Sequence, residues 1–280
     1  MSRTKQKARR GGGNDPQDII RREKSEVVTG DLTQKKVATT MGGKKRKLDQ
    51  SDDLKTYPLP KRAALDTESE QSTSPGVAVD PSLLADHFAK NIQKWFSTSS
   101  PIELEDMYLP KKAFLDTTSY TKERLAANLP DFLEQFSAGG KEGLSICEEV
   151  GSPHTIVLAM SGMRIADLMR ELRVFKSQGS KVGKFMPKHM KLEMNIKFLQ
   201  SNKVGIAIGT PERLNQLLEA EALKTQGLQR IVVDGSYHDE KRSNIFTIGQ
   251  IFRPMVAFLN DDNIRQRYGA EQNKVDIIVF

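Results

Sequence analysis

Apolar residues between positions 80 and 96 recur every three to four positions, which predicts an amphipathic helix. Asp80 stands where an N-cap carboxylate accepts backbone N–H groups, and Pro81 suits the first helical position. Further helical sequence at 119–136 is broken near Pro130, so residues 80–151 are predicted to form a helical prelude packed on the domain that follows. The apolar stripe of the first helix contains Leu84, Phe88, Ile92 and either Trp95 or Phe96.

From residue 152 the pattern changes to short β-branched apolar runs that alternate with helical periodicity. This alternation predicts a parallel sheet with helices on both faces, so residues 152–280 are predicted to form an α/β core. The helical stretch before the last run is expected to break or kink near Pro254. The predicted strands are HTIVLAM (154–160), VGIAIG (204–209), LQRIVVDG (228–235) and KVDIIVF (274–280).

A parallel sheet binds ligands at the carboxyl ends of its strands. Three turns are expected to share this edge, those after Met160, Gly209 and Val233. In the second turn Thr210 can cap a helix and Pro211 can take its first position, which leaves free N–H groups directed toward an anion. Arg213 can add a bidentate contact to a phosphate. The turn is therefore compatible with a phosphate cradle, but spacing alone favours the alternative, an ordinary capped helix with a solvated arginine.

Charge divides the chain at about residue 79. Residues 1–79 contain 17 Lys and Arg against 11 Asp and Glu, a net charge of +6, whereas residues 80–280 contain 26 against 25. Tyr57 is the one aromatic residue of this first part, out of 18 in the chain. So little apolar area does not offset the entropy of ordering, and residues 1–79 are predicted to be a disordered basic tail.

Within this tail, basic residues form one unbroken run and a second pair. Such runs are typical of nuclear import signals, in which extended lysines meet acidic receptor grooves, so a nuclear import receptor is an expected partner. The alternative is a solvated tail that touches nucleic acid without specificity. The predicted import residues are Lys44, Lys45, Arg46, Lys47, Lys61 and Arg62.

Cys147 is the only cysteine in the chain. A single cysteine excludes an internal disulfide and provides no cysteine cluster for a structural metal. This favours a location in a reducing compartment, the nucleus or cytosol. The chain has no run of 18 apolar residues and no apolar stretch after its basic start, so neither a membrane span nor a secretory leader is expected.

Three segments resemble motifs of the first RecA-like domain of DEAD-box RNA helicases, in the same order. They are HTIVLAMSGMRIADLMREL, VGIAIGTPERLNQLL and LQRIVVDGSYHDEK. The middle motif of that family reads Thr-Pro-Gly-Arg and grips the RNA backbone. Thr210, Pro211 and Arg213 match it, with Glu212 in place of the glycine. The resemblance therefore implies RNA contact by these three residues.

The other two motifs match less well. Where the family has a Pro-Thr-Arg-Glu-Leu turn, this chain offers only Arg164, in a shifted position, as a further candidate for RNA contact. Asp234 is retained, but Gly235-Ser236-Tyr237 replaces the family's Glu-Ala-Asp, so the carboxylate that would activate water is missing. Asp234 is expected to orient its turn rather than to bind magnesium.

No intact P-loop is found in the sequence. The nearest candidate, SAGGKEGLS (137–145), has Gly140 and Lys141 but places Glu142 where a hydroxyl should bind magnesium, and a glutamate there repels phosphate. The chain also ends on the strand that precedes the Ser-Ala-Thr motif in the family, so a second RecA-like domain is not expected. We expect no ATP hydrolysis, no cofactor and no metal. The alternative is a residual ATPase that uses Lys141 and Asp234.

The combined pattern is similar to the Cms-one ribosomal small-subunit protein family. Besides the tail and the altered helicase motifs, the segment SKVGKFMPKHMKLEMNIKFL (180–199) and the ending VDIIVF carry this resemblance. It implies a single degenerate RecA-like domain and a non-catalytic assembly factor of the early small-subunit pre-ribosome in the nucleolus. The implied partners are pre-rRNA, its small nucleolar ribonucleoprotein and other assembly proteins. A pure protein-interaction scaffold without RNA contact remains the alternative, and the lysines of 181–197 are either phosphate contacts or a solvated loop.

Overall fold

A computed structural model describes residues 80–188 and 190–280. The predicted basic tail and its import signal lie outside the described residues. Nine α-helices and five strands make up this part of the chain. The helices are α1 (Pro81–Trp95), α2 (Pro101–Met107), α3 (Leu129–Gln135), α4 (Gly140–Leu144), α5 (Gly162–Glu171), α6 (Leu192–Ser201), α7 (Pro211–Glu219), α8 (Gly249–Leu259) and α9 (Asp262–Arg265). The strands are β1 (Thr155–Leu158), β2 (Lys181–Phe185), β3 (Val204–Gly209), β4 (Arg230–Val233) and β5 (Asp276–Val279).

The start of α1 confirms the predicted cap. Asp80 Oδ1 accepts a hydrogen bond from the Ser82 backbone N–H at 2.7 Å, and Pro81 occupies the first helical position. Leu84, Phe88 and Ile92 are buried, as the apolar stripe predicted. The helix packs on α8 through Phe88, whose ring centroid lies 6.4 Å from that of Phe252.

The five strands form one parallel sheet in the order β2-β3-β1-β4-β5. Strands β1, β3 and β4 are buried along their whole length, because helices cover both faces of the sheet. One hydrophobic cluster contains Ile156 and Phe252, and a second, on the opposite face, contains Val157 and Phe175. The predicted fold class, α/β with a covered parallel sheet, is confirmed.

The two outer strands differ in what lies beside them. Phe114 bridges to Ile277 beyond β5, and the Leu115 N–H donates to the Ile277 carbonyl oxygen at 3.0 Å. β2 is the last strand on the other side of the described sheet, and its Lys181 and Lys184 are exposed.

Two details differ from the sequence prediction. The sequence pattern predicts four strands, but residues 181–185, whose lysines it leaves open between phosphate contacts and a solvated loop, form a fifth strand, β2. The sequence also predicts a break or a kink near Pro254, and the helix does not break there, because α8 continues through this residue from 249 to 259. No described helix is long and apolar enough to cross a membrane.

Candidate functional site at the carboxyl edge of the sheet

The three turns singled out in the sequence lie at one edge of the sheet. β3, β1 and β4 are neighbours, and Leu158, the last residue of β1, is in register with both Gly209 and Val233. The turns that follow therefore start side by side at the carboxyl ends of the strands, as predicted.

The backbone of the Thr-Pro-x-Arg turn has the predicted form. Thr210 is the N-cap of α7 with extended dihedral angles, and Pro211 is its first helical residue. The Thr210 N–H donates to the Phe185 carbonyl oxygen at 3.1 Å, which ties the turn to the end of β2. The Thr210 hydroxyl, however, makes no capping bond, and Oγ1 is buried without a hydrogen-bond partner among the described residues.

The side chain of Arg213 points into the protein. A phosphate cradle requires this side chain to face solvent. The residue is 6% exposed. Its Nη1 donates to Asn195 Oδ1 at 2.7 Å and to the Met190 carbonyl oxygen at 3.0 Å. Burial lowers the pKa of Arg213, an effect that Glu193 opposes. The expected geometry is therefore corrected: Arg213 joins α7 to α6 and the loop before it.

A signal for this inward position was present in the sequence. Arg213 lies one turn before Leu217 and next to Leu214, so it belongs to the apolar face of α7. Arginine on such a face must find internal acceptors, because a buried guanidinium group without hydrogen bonds is costly. Asn195, a polar residue on the buried face of α6, supplies one acceptor and was missed in the sequence.

Arg164 and Asp234 form a buried ion pair across the same edge. Ser161 caps α5 by accepting the Arg164 N–H at 3.2 Å. Arg164 Nε donates to Asp234 Oδ2 at 2.8 Å, and its Nη2 donates to Oδ1 at 2.9 Å. The two side chains are 8% and 1% exposed. The Tyr237 ring lies 5.0 Å from the guanidinium carbon.

This pair decides what Asp234 can do. Burial raises the pKa of Asp234, and the two hydrogen bonds from Arg164 oppose that shift by stabilising the carboxylate. Both carboxylate oxygens accept from Arg164, so Asp234 orders the two turns, as expected. Arg164 is likewise engaged internally, and its contact with RNA stays a prediction.

The end of β5 closes the edge beside Asp234. The Gly235 and Ser236 N–H groups both donate to the Phe280 carbonyl oxygen, at 2.8 and 2.9 Å. Their donors are therefore satisfied within the protein and are not presented to a ligand.

Lys141 and Asp234 lie at opposite ends of the strands. Lys141 is two residues before Gly143 in α4, near the amino ends, whereas Asp234 follows β4 at its carboxyl end. Gly143 of α4 lines a cavity together with His154 and Gln229, which directly precede β1 and β4. Residues 229 to 234 span about 16 Å along β4, since a strand rises about 3.3 Å per residue. The residues of this chain therefore do not fit an ATP site built on Lys141 and Asp234.

The fold and this edge define a class of protein: a parallel α/β domain whose carboxyl edge is held by an internal ion pair and by hydrogen bonds. A family model described as "CMS1: U3-containing 90S pre-ribosomal complex subunit" matches residues 27–280. The chain belongs to this family.

Relatives in several organisms are similar over most of the chain. Protein CMS1 of Chaetomium thermophilum is 36% identical over 242 residues, which are 85% of this chain and 96% of that protein. Protein CMSS1 of Homo sapiens is 25% identical over 206 residues, 73% of this chain and 69% of that protein. Among solved structures, one of a DEAD box protein from Methanococcus jannaschii is similar over 56% of this chain and 37% of that protein's chain. The sequence identity is 11% and the TM-score is 0.36.

Proposed function

We propose that this protein is a non-catalytic assembly factor of the U3-containing 90S pre-ribosome. The observation that carries the proposal is the buried bidentate pair of Arg164 with Asp234. The pair supports a structural role for Asp234, the one carboxylate retained from the helicase-like motif. The family description supplies the complex, and relatives that match most of the chain support it.

The expected location is the nucleolus, within the nucleus, where such particles assemble. The expected partners are pre-rRNA, the small nucleolar ribonucleoprotein of the particle and other assembly proteins. A nuclear import receptor would bind the basic run of the tail, Lys44, Lys45, Arg46 and Lys47, with Lys61 and Arg62.

The proposal is tested by rescue of cells that have been depleted of the protein. Lys141→Ala should restore growth and comigration with U3-containing particles in a sucrose gradient as well as the wild type does. Lys224→Ala, which also removes one exposed lysine, is the matched control. Failure of Lys141→Ala alone, together with ATP hydrolysis that this substitution abolishes in the purified chain, would revive the residual ATPase.

A second candidate is a protein-interaction scaffold that makes no direct contact with RNA. It is favoured by one observation: the guanidinium groups of Arg164 and Arg213 are bonded internally. RNA contact by Thr210, Pro211, Arg213 and Arg164 stays a prediction, and it requires Arg213 to exchange Asn195 and Met190 for a phosphate.

Crosslinking in living cells separates these two candidates. Ultraviolet crosslinks to early pre-rRNA that decrease in Arg213→Ala, in a variant that still comigrates with the particles, would support contact at the turn. Comigration of the wild type without any direct crosslinks to RNA would support the protein scaffold.

A further inference from the structure

Positive charge between residues 80 and 280 is concentrated in one segment. Residues 170–203 contain nine Lys and Arg against two acidic residues, Glu171 and Glu193, which gives a net charge of +7. The remainder of residues 80–280 contains 17 Lys and Arg against 23 Asp and Glu, a net charge of −6. The net charge of residues 80–280 is therefore near zero only because a strongly positive segment and a negative remainder cancel.

The fold gathers this segment around the outer side of β2. A 3₁₀ turn at Leu172–Phe175 continues α5, and it packs with α5 against β2 on one face of the sheet. On the other face, the Phe198 ring of α6 lies 6.2 Å from that of Phe185. We call the cations of this segment the basic edge; they are Arg170, Arg173, Lys176, Lys181, Lys184, Lys188, Lys191, Lys197 and Lys203.

The cations of the basic edge are available to a partner. All nine residues are exposed. Among the ion pairs of the described residues, only that of Arg170 with Asp167, at 3.2 Å, involves the basic edge. Lys181 donates to Asn202 Oδ1, a neutral acceptor that leaves its charge uncompensated.

Protection of the outer strand against pairing with other chains explains only some of these exposed cations. Lysines on an outer strand prevent other chains from pairing with it. Lys181 and Lys184 lie on β2 and serve that purpose. Of the other seven cations, Lys203 forms an isolated bridge with Val150 just before β3, and six lie on the flanking helices, turns and loops, where they protect no strand.

We propose that the basic edge binds the phosphate backbone of RNA. Seven of its nine cations are lysines, a residue type depleted at protein–protein interfaces but used to neutralise phosphates. Its binding should depend on salt and not on sequence. This inference rests on the proposed function, since it names the surface through which the assembly factor meets RNA, and it places that surface to the side of the Thr-Pro-x-Arg turn.

The test compares two variants of the full chain that lose the same charge. One carries Gln in place of Lys184, Lys188, Lys191 and Lys197 of the basic edge. The control carries Gln in place of Lys90, Lys141, Lys224 and Lys241, which are exposed lysines elsewhere on the domain. Binding to a fluorescent 30-nucleotide uridine RNA is measured by anisotropy over a range of salt concentrations, and urea unfolding checks that both variants fold.

The basic-edge variant should bind at least about tenfold more weakly at low salt than the control does. The slope of log affinity against log salt should fall by about three, since each phosphate contact to a single strand contributes about 0.7. The tail is identical in both variants, so its contribution cancels. Equal affinities and slopes for the two folded variants would overturn the proposal.

Comigration with U3-containing particles separates this proposal from the proposed function. Absence of the wild type from the particles would refute the proposed function whatever the uridine RNA result. Loss of only the basic-edge variant from the particles, with uridine RNA binding equal to that of the control, would show that the edge holds an acidic protein and would overturn the RNA proposal.

Discussion

Replacing Asp234 by Leu should destabilise the domain through Arg164 rather than through lost packing. The substitution leaves a guanidinium group, 8% exposed, without the carboxylate that pairs with it. Breaking a buried pair by removing one partner typically costs about 3 to 5 kcal/mol. The Tyr237 ring, 5.0 Å from Arg164, stays in place and retains about 1 kcal/mol of cation–π attraction. We therefore expect the free energy of unfolding to fall by about 3 kcal/mol, near the lower end of this range.

The assay is urea unfolding of the full chain followed by circular dichroism at 222 nm. Arg164→Met should also destabilise, because it leaves the Asp234 carboxylate buried without its hydrogen-bond donors. The double variant Arg164→Met with Asp234→Leu should recover most of the loss and lie within about 1 kcal/mol of the wild type, since apolar replacement of a buried pair is often neutral.

The slope of the free energy against urea concentration must be equal in all four proteins for this comparison to hold. Two results would refute the reasoning: a loss below about 1 kcal/mol for Asp234→Leu, or a double variant whose loss equals the sum of the two single losses.

Three further predictions concern the core beneath the sheet edges. Burial, with Arg230 nearby, lowers the pKa of His154 from 6.5 to about 4. As the pH falls through this range, only the unfolded state binds a proton at this residue, which destabilises the folded state. Between pH 6.5 and 4 the free energy of unfolding in urea should therefore fall by about 3 kcal/mol more in the wild type than in His154→Gln. Gly209→Ala should cost about 2 kcal/mol in thermal or urea unfolding, because the new Cβ would lie 2.8 Å from the Phe185 carbonyl oxygen, whereas Gly179→Ala has free space and should be neutral. Cys147 is 6% exposed and burial raises the pKa of its thiol, so Ellman's reagent should label it slowly until urea unfolds the domain, and rapid native labelling would contradict its burial.

The central strands could be predicted because they are buried on both faces. Apart from Thr155 and Arg230 at their first positions, β1, β3 and β4 consist of continuous apolar runs, which are typical of a covered parallel sheet. β2 could not be predicted in the same way. As an outer strand it exposes Lys181 and Lys184, so its pattern matches neither a continuous apolar run nor a strict alternation.

The position of the candidate site was predictable, but its contacts were not. Parallel strands bring their carboxyl ends together, and this alone placed Thr210 and Asp234 at one edge. The partners of the arginines come from distant parts of the chain: Asp234 lies 70 residues from Arg164, and Asn195 lies 18 residues from Arg213. Local patterns contain no information about such pairs, because they form only when the elements pack.

Residue type and residue environment favour different surfaces for the proposed contact with RNA. The motif resemblance favours Arg164 and Arg213, but each must first break internal hydrogen bonds and leave an acceptor buried without its partner. The lysines of the basic edge require no such exchange, since they are already solvated and carry a net positive charge. Counterion release then favours phosphate binding there at little structural cost. The proposed RNA contact therefore lies on the outer side of β2, where the exposed lysines are, rather than at the carboxyl ends of the strands.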